Sequence, residues 1–260
     1  MSTLVMKFGG ASLAAPESFN NVANIIKERK KKYFRIVVVI SAMANMTNRL
    51  INLAKKVNKN PPRREMDMLI SAGERISISL LAMALSEINV AAISFTGSQS
   101  GIITCENHSE GKIIDVRPWR LLPHLEKNDV VIVAGFQGVS LKKEITTLGR
   151  GGTDTSAVAL AIALGAAKVE FYKDVEGIYS EDPKKNPNAE KFEKLSYKHA
   201  INIMEKGARV LHTRCVCLAE KNGIKLHVRS FNSFFDGQIG SVGSIIGKDA
   251  VRSNIACYEQ

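Results

Sequence analysis

Thr3-Leu4-Val5-Met6-Lys7-Phe8-Gly9-Gly10-Ala11-Ser12 opens the chain with an apolar run that passes straight into paired glycines. A strand of this kind, followed by a helical pattern, is the first half of a strand–helix unit. Similar runs recur at Arg35–Ile40, Ala91–Thr96, Asp129–Ala134, Lys168–Tyr172 and Ile224–Ser230, and several are nearly unbroken Val and Ile. Strands covered on both faces read this way. Helical stripes lie between them. One is Phe19, Val22, Ala23 and Ile26, with Pro16 suited to a first turn. A second is Ile76, Leu80, Ala84 and Ile88, and a third is Val158 and Ile162 among alanines. Ile201–Met204 and Val216–Ala219 suggest two more, while Pro61-Pro62-Arg63-Arg64 reads as a loop. The alternation predicts an α/β fold: a largely parallel central sheet sandwiched by helices, with a seam near Gly149–Thr153 dividing two lobes.

Composition narrows the classes. The 260 residues are 45% hydrophobic, enough to bury a full core. No run of about eighteen apolar residues occurs, so no membrane span is predicted. The strand-like opening lacks signal-peptide design. Cys105, Cys215, Cys217 and Cys257 have neither metal-ligand nor redox spacing and read as reduced thiols of a cytoplasmic protein. Asn45-Met46-Thr47 and Asn107-His108-Ser109 match a glycosylation pattern that has no use without secretion. The net charge of +11 gathers at Lys27–Lys32, Lys55–Lys59, Arg63-Arg64 and Lys184-Lys185. None of these clusters is interleaved with aromatics, so they read as solvated surface, and no nucleic-acid partner is expected.

Two glycine loops carry the chemistry. In Lys7-Phe8-Gly9-Gly10 the glycines let backbone N–H groups approach a bulky anion, and the lysine adds a fixed charge. A tight strand-to-helix turn with a surface lysine accounts for the same residues. The second loop, Thr147-Leu148-Gly149-Arg150-Gly151-Gly152-Thr153-Asp154-Thr155-Ser156, leads into an alanine-rich helical run and makes an anion site at a helix start. Thr153 or Asp154 as a helix cap is the simpler account. Capping leaves Arg150 unexplained: a guanidinium buried among glycines calls for a carboxylate or phosphate partner. Neither loop is a Walker A or dinucleotide fingerprint, so anion binding follows and the nucleotide class does not.

At this point a resemblance enters. Lys7–Ser12 resembles the KFGG-T/S-S opening of aspartokinases, and Thr147–Ala159 resembles their TLGRGGSD signature with one Ser-to-Thr change. Further matches follow in order at Ser41–Asn48, Ser71–Ser77, Phe95–Ile102, Val133–Val139, Asp174–Pro183 and Val228–Phe231. They cover the chain to about Gly247. The spacing is most similar to the monofunctional bacterial type, which continues into two ACT modules that bind lysine or threonine. Thirteen residues follow Gly247, too few for such a module. The expected organisation is therefore an amino-acid kinase domain over 1–247 and a tail over 248–260 with no ACT domain. An acceptor lobe over about 1–149 and a nucleotide lobe over about 150–247 would make up the domain.

The resemblance implies ATP and L-aspartate as substrates, with Mg²⁺ held by the nucleotide phosphates and no protein metal cage. Lys7 would neutralise the transferring phosphoryl group, Gly9 and Gly10 would supply backbone donors, and Asp154 would hold Lys7. Arg150 would clamp the α-carboxylate of aspartate and Glu74 would meet its α-ammonium. A surface ion pair with Arg75 is the alternative for Glu74. Ser41, Thr47 and Thr153 would orient the acceptor. Asp174 and Tyr179 would contact ribose and adenine, although Tyr179 also reads as core packing. Lys184 and Arg209 would lie near the phosphates. Lys173 stands where relatives carry Thr or Ser, and Arg209 where lysine is commoner, so both bear on nucleotide binding. A carboxylate acceptor is ionised at neutral pH and needs no general base, so the five histidines are free for structural roles. Rival readings are a glutamate or N-acetylglutamate kinase, a non-catalytic nucleotide-binding subunit and a charge-driven nucleic-acid binder. Pairing of two kinase domains is the expected route to any homodimer.

Overall fold

The computed structural model describes residues 2–183, 186–208, 210–232, 243–247 and 256–259. The first half contains β1 (Thr3–Phe8), a 3-10 turn (Gly10–Leu13), α1 (Ser18–Lys30), β2 (Arg35–Ile40), α2 (Met46–Val57), α3 (Arg63–Ile70) and α4 (Ala72–Glu87). It continues through β3 (Ala92–Phe95), β4 (Ile102–Thr104), β5 (Ile113–Val116), α5 (Leu122–Glu126), β6 (Val130–Ala134), β7 (Gln137–Ser140) and β8 (Ile145–Thr147). Then come α6 (Gly152–Ala163), β9 (Lys168–Lys173), β10 (Ile178–Tyr179), β11 (Lys191–Phe192) and β12 (Lys194–Leu195). Helices α7 (Tyr197–Glu205) and α8 (Thr213–Asn222) precede β13 (Lys225–Ser230) and β14 (Ser244–Ile246).

An eight-stranded sheet in the order β12-β14-β13-β9-β1-β2-β6-β3 forms the centre. Every pairing in it is parallel except β13 with β14. The near-continuous apolar strands are buried on both faces, as parallel sheets require. On one face Val5, Val37, Val39, Val131, Val133 and Phe171 meet α6 and α8. Ala157, Ala159 and Ala161 are small enough to bring α6 close to the sheet. On the other face Leu4, Met6, Phe8, Val38 and Ile132 meet Phe19, Val22 and Ile26 of α1 and Ile78, Leu81 and Leu85 of α4. Each such side chain removed from water contributes about 1.5–3 kcal/mol.

Strand β1 pairs with β2 on one side and β9 on the other, so strand order reverses there. The crevice beyond the carboxyl ends of strands at such a reversal is where ligands bind in open α/β sheets. The sheet also runs unbroken across the Gly149–Thr153 seam, because β1 and β9 are direct neighbours.

Several expectations require correction. Arg63 and Arg64 are not in a loop; they open α3, with Pro62 extended just before it. The stripe on α4 is right in part: Ala84 is buried and Leu80 and Ile88 pack at the edge of the core, but Ile76 is exposed, and Gly73, Ser77, Ile78, Leu81 and Leu85 form the inward face. Tertiary packing against β2 and β6 selects the inward face there, and apolar residues such as Ile76 and Met83 on the outer side blur the stripe. The span 63–87 is by length and hydropathy apolar enough to cross a membrane, yet half of its most apolar window is buried within the fold. Pro16 lies in the turn ahead of α1, where its carbonyl accepts from the Phe19 N–H (3.1 Å). A second, four-stranded sheet, β5-β4-β7-β8, escaped the sequence reading because its strands are only three or four residues long.

Glu170 on β9 fastens α1 to the sheet. It is fully buried and pairs with Arg29 and Lys168 (2.7 Å), accepts from the Tyr172 hydroxyl (2.9 Å), and lies 3.7 Å from Arg229. Burial pushes its carboxyl upward, but Lys168 and Arg29 outweigh that and hold it at about 2. A depressed acid contributes stability above its unfolded value near 4.5 and loses it as pH falls toward 2. Glu170→Ala, leaving buried cations without their partner, is expected to cost about 3–5 kcal/mol in urea denaturation at pH 7. That difference should shrink below about pH 4.

Candidate active site

Four segments converge at the carboxyl end of the sheet: the turn after β1, the loop after β2, the start of α4 and the glycine loop before α6. Together they line a cavity of about 330 Å³ that includes Lys7, Gly10, Ser41, Thr47, Glu74, Phe136, Arg150, Thr153 and Asp154. The amino-acid-binding residues expected from the sequence are therefore brought to one place.

At its floor, Lys7 Nζ lies 2.6 Å from Asp154 Oδ1, both side chains nearly inaccessible. Lys173 reaches the other carboxylate oxygen at 3.4 Å. Burial lowers the lysine's proton affinity and Asp154 opposes that shift. Burial raises the Asp154 carboxyl, but Lys7 and Lys173 outweigh it and hold the acid at about 2. Two cations thus share one carboxylate, and the cluster keeps a net positive charge. Gly9 leaves room for the ammonium: a Cβ there would stand 3.4 Å from Lys7 Nζ. Gly10 permits a close approach to the loop after β2, where a Cβ would stand 3.2 Å from the Ala42 carbonyl oxygen.

Glu74 is buried in the first turn of α4. Its Oε1 accepts from the Ala42 N–H at 3.0 Å, and its Oε2 has no hydrogen-bond partner among the described residues. Burial lifts the carboxyl to about 7, partly offset by backbone N–H groups. Arg75 is exposed and makes no pair with Glu74, so the surface ion-pair account fails. A buried, unpaired acceptor is costly unless a donor arrives.

Arg150 departs from expectation. It is exposed at the cavity mouth, not buried among glycines, and no side chain pairs with it among the described residues. Gly149 (φ 70°) and Gly151 (φ 78°) take left-handed conformations that turn the chain around it. Gly151 caps α6 by its backbone, so neither Thr153 nor Asp154 serves as cap. Asp154 lies in the first turn of α6, where a carboxylate suits the helix dipole.

Phe136 was not foreseen. It lines the cavity at φ 67°, an uncommon conformation for a bulky residue, with its N–H given to Ser156 Oγ (3.2 Å) and its carbonyl accepting from Leu148 N–H (2.9 Å). Backbone strain of this kind leaves no mark in sequence. Asp67 was also missed. It is fully buried and accepts from Thr147 and Ser109 beneath the glycine loop.

Of the residues expected to meet a nucleotide, Lys173 closes β9 beside Asp154. Asp174 is exposed immediately after it, and Tyr179 is half-buried on β10; neither lines the cavity. Lys184 and Arg209 lie outside the described residues. No group of three His, Cys, Asp or Glu suited to a metal occurs among the described residues.

The fold and the site together define an α/β protein with a lysine-bearing crevice at the carboxyl ends of its strands. The profile of the amino acid kinase family matches residues 2–230, and the chain belongs to that family. It is 47% identical to an aspartokinase of Mycolicibacterium smegmatis over 98% of the chain and 62% of that relative. Among solved structures, aspartate kinase from Synechocystis matches with a TM-score of 0.87 at 42% identity, covering the whole chain and 42% of that protein. E. coli aspartokinase III, in complex with aspartate and ADP, matches with a TM-score of 0.83 at 26% identity, covering 96% of the chain and 65% of that protein. The chain thus spans about three-fifths of the length of the curated relative.

Glu74 also yields a stability test. Its carboxyl is raised from 4.5 to about 7, so the folded state keeps full stability from this group below about 4.5 and loses it as pH rises through 7. At about 1.4 kcal/mol per pH unit, the ionised group costs roughly 3 kcal/mol above neutrality. Glu74→Gln should therefore raise the urea midpoint at pH 8 and leave it nearly unchanged at pH 4.5.

Proposed function

We propose that this chain is the catalytic portion of an aspartokinase, transferring the γ-phosphoryl group of ATP to the β-carboxylate of L-aspartate. The observation that carries the reading is the pairing of opposite charges in one cavity. Glu74, whose buried Oε2 lacks a partner, and Arg150, whose guanidinium is unpaired among the described residues, both line the cavity that holds the Lys7–Asp154 pair. An α-amino acid presents the complementary ammonium and carboxylate. Glu74 disfavours an N-acylated acceptor, which lacks the ammonium. The relatives' aspartokinase identity and the aspartate and ADP held by the E. coli protein support the same reading.

Arg150 grips the α-carboxylate with paired hydrogen bonds, and Ser41, Thr47 and Thr153 orient the rest of the acceptor. A side-chain carboxylate oxygen attacks the γ-phosphorus. The bond from that phosphorus to the β–γ bridging oxygen breaks, ADP leaves, and an acyl phosphate forms. The acceptor is already ionised, so no proton is moved. Lys7 stabilises charge on the transferring group, and Asp154 holds Lys7 in place. Lys173, Asp174 and Tyr179 serve the nucleotide, with Lys184 and Arg209 assigned to its phosphates. Mg²⁺ bound to the nucleotide adds charge neutralisation. Asp154 is engaged by two lysines, which fits a metal carried mainly by phosphate oxygens and water. The absence of a disulfide among the described residues suits a cytoplasmic setting.

ADP release with Mg-ATP is to be measured with L-aspartate, L-glutamate or N-acetylglutamate, trapping product with hydroxylamine. Aspartate-dependent acyl phosphate is expected, with Lys7→Ala slower by at least about 100-fold. Preference for another acceptor, or none, overturns the assignment. Because Glu74 must ionise to receive the ammonium, the KM for aspartate should rise up to about tenfold per pH unit as pH falls below 7. Glu74→Gln should flatten that profile.

A further inference from the structure

Asp67 sits outside the cavity, yet its carboxylate is among the most heavily hydrogen-bonded groups in the described structure. It is fully buried. Oδ1 accepts from the Thr147 hydroxyl (2.6 Å), and Oδ2 accepts from the Thr147 N–H (3.1 Å). The Ser109 N–H reaches both oxygens (3.1 and 3.0 Å), the Ser109 hydroxyl reaches Oδ1 at 3.3 Å, and His108 Nδ1 lies 2.9 Å from Oδ2. One helical turn on from Asp67, the Ser71 carbonyl accepts from Gln137 Nε2 at 2.8 Å. Gln137 and Thr147 are directly opposite partners across β7 and β8.

The two bonds therefore fasten one face of the α3–α4 helical path to one rung of a hairpin. The elements they join then supply Glu74 and Arg150 to the cavity. Continuing along the helices from Asp67 through Ser71, the same face reaches Glu74 about two turns on. Continuing along the chain from Thr147, the glycine loop reaches Arg150. From the opposite side the Arg214 guanidinium donates to the Leu148 carbonyl (2.6 Å) and the Gly111 carbonyl (2.7 Å), so the peptide just before the loop is held on both flanks.

We propose that Asp67 is a positioning residue that sets the spacing between Glu74 and Arg150, and with it the discrimination of acceptor length. This rests on the reading of those two residues as the grip on the amino acid's ammonium and α-carboxylate. With the grip fixed relative to Lys7, an acceptor of one side-chain length meets the γ-phosphoryl group. With it loosened, the penalty on a side chain longer by one methylene falls.

The test compares wild type with Asp67→Asn and Thr147→Val, with Thr147→Ser as the conservative control. Asp67→Asn and Thr147→Val should raise the KM for aspartate at least tenfold and leave that for ATP within about twofold. Aspartate-over-glutamate selectivity in kcat/KM should narrow at least tenfold, and Thr147→Ser should restore wild-type values. A merely structural role would weaken both substrates together and leave selectivity intact, and that result overturns the proposal. Amide hydrogen exchange, followed without substrate, separates this idea from the functional reading. Faster exchange over residues 148–152 in Asp67→Asn supports the tie even where aspartate proves not to be the acceptor. Unchanged exchange there removes it.

Discussion

The contact between Lys7 and Asp154 governs the rest of the site. It joins the end of the central strand to the first turn of a helix that begins only after the second glycine loop. Taking both groups out of water costs several kcal/mol each unless they neutralise one another, so neither can stay in place alone. The pair therefore fixes how closely β1 and α6 approach. The alanines of α6 make that approach sterically feasible. Lys173 adds a second cation to the same carboxylate, leaving positive charge at the point where strand order reverses. An anion meets a preorganised field there, one that need not reorganise when charge moves during a reaction.

Around that centre the cavity is stored in an unsatisfied state. Glu74 is held by one backbone N–H with its second oxygen bare, and its carboxyl drifts to about 7 because burial disfavours the charge. Arg150 extends from a loop whose glycines adopt left-handed turns and whose guanidinium no neighbour claims. Phe136 is held in a disfavoured conformation at the rim by bonds on both sides of its peptide. The buried carboxylate of Glu74 and the backbone of Phe136 each cost stability, whereas the exposed Arg150 side chain stays solvated. The supporting bonds from Asp67, Gln137 and Arg214 keep these groups from collapsing onto other partners.

Much of this architecture was legible in the sequence. Six strands of the main sheet were read within a residue of their ends, because a strand buried on both faces must be apolar throughout and turns must bound it. Lys7 and Asp154 were singled out by the resemblance of the two glycine loops to aspartokinase motifs, because a turn lysine and a helix cap account for the same residues locally. Short strands such as β4 and β8 carry too few residues to show a period, so the second sheet went unread. On α4 only Ile76 was misplaced, because apolar residues on more than one side of the helix blur the edge of its buried face. Arg150 was identified by type and misjudged in burial, since sequence gives no measure of how open a loop will be.

By itself, then, the sequence determined the α/β class, the strand–helix order and the identity of the charged groups near the glycine loops. Those properties follow from local hydrophobic pattern and from the conformational freedom of glycine, which neighbouring residues suffice to express. Only the tertiary structure decided that Glu74 and Arg150 open on the same cavity and that Asp67 binds the segment leading to it. It also decided that one carboxylate serves two lysines. Those relations join residues tens of positions apart, and their energies depend on distance and burial, which arise only when the chain has closed on itself.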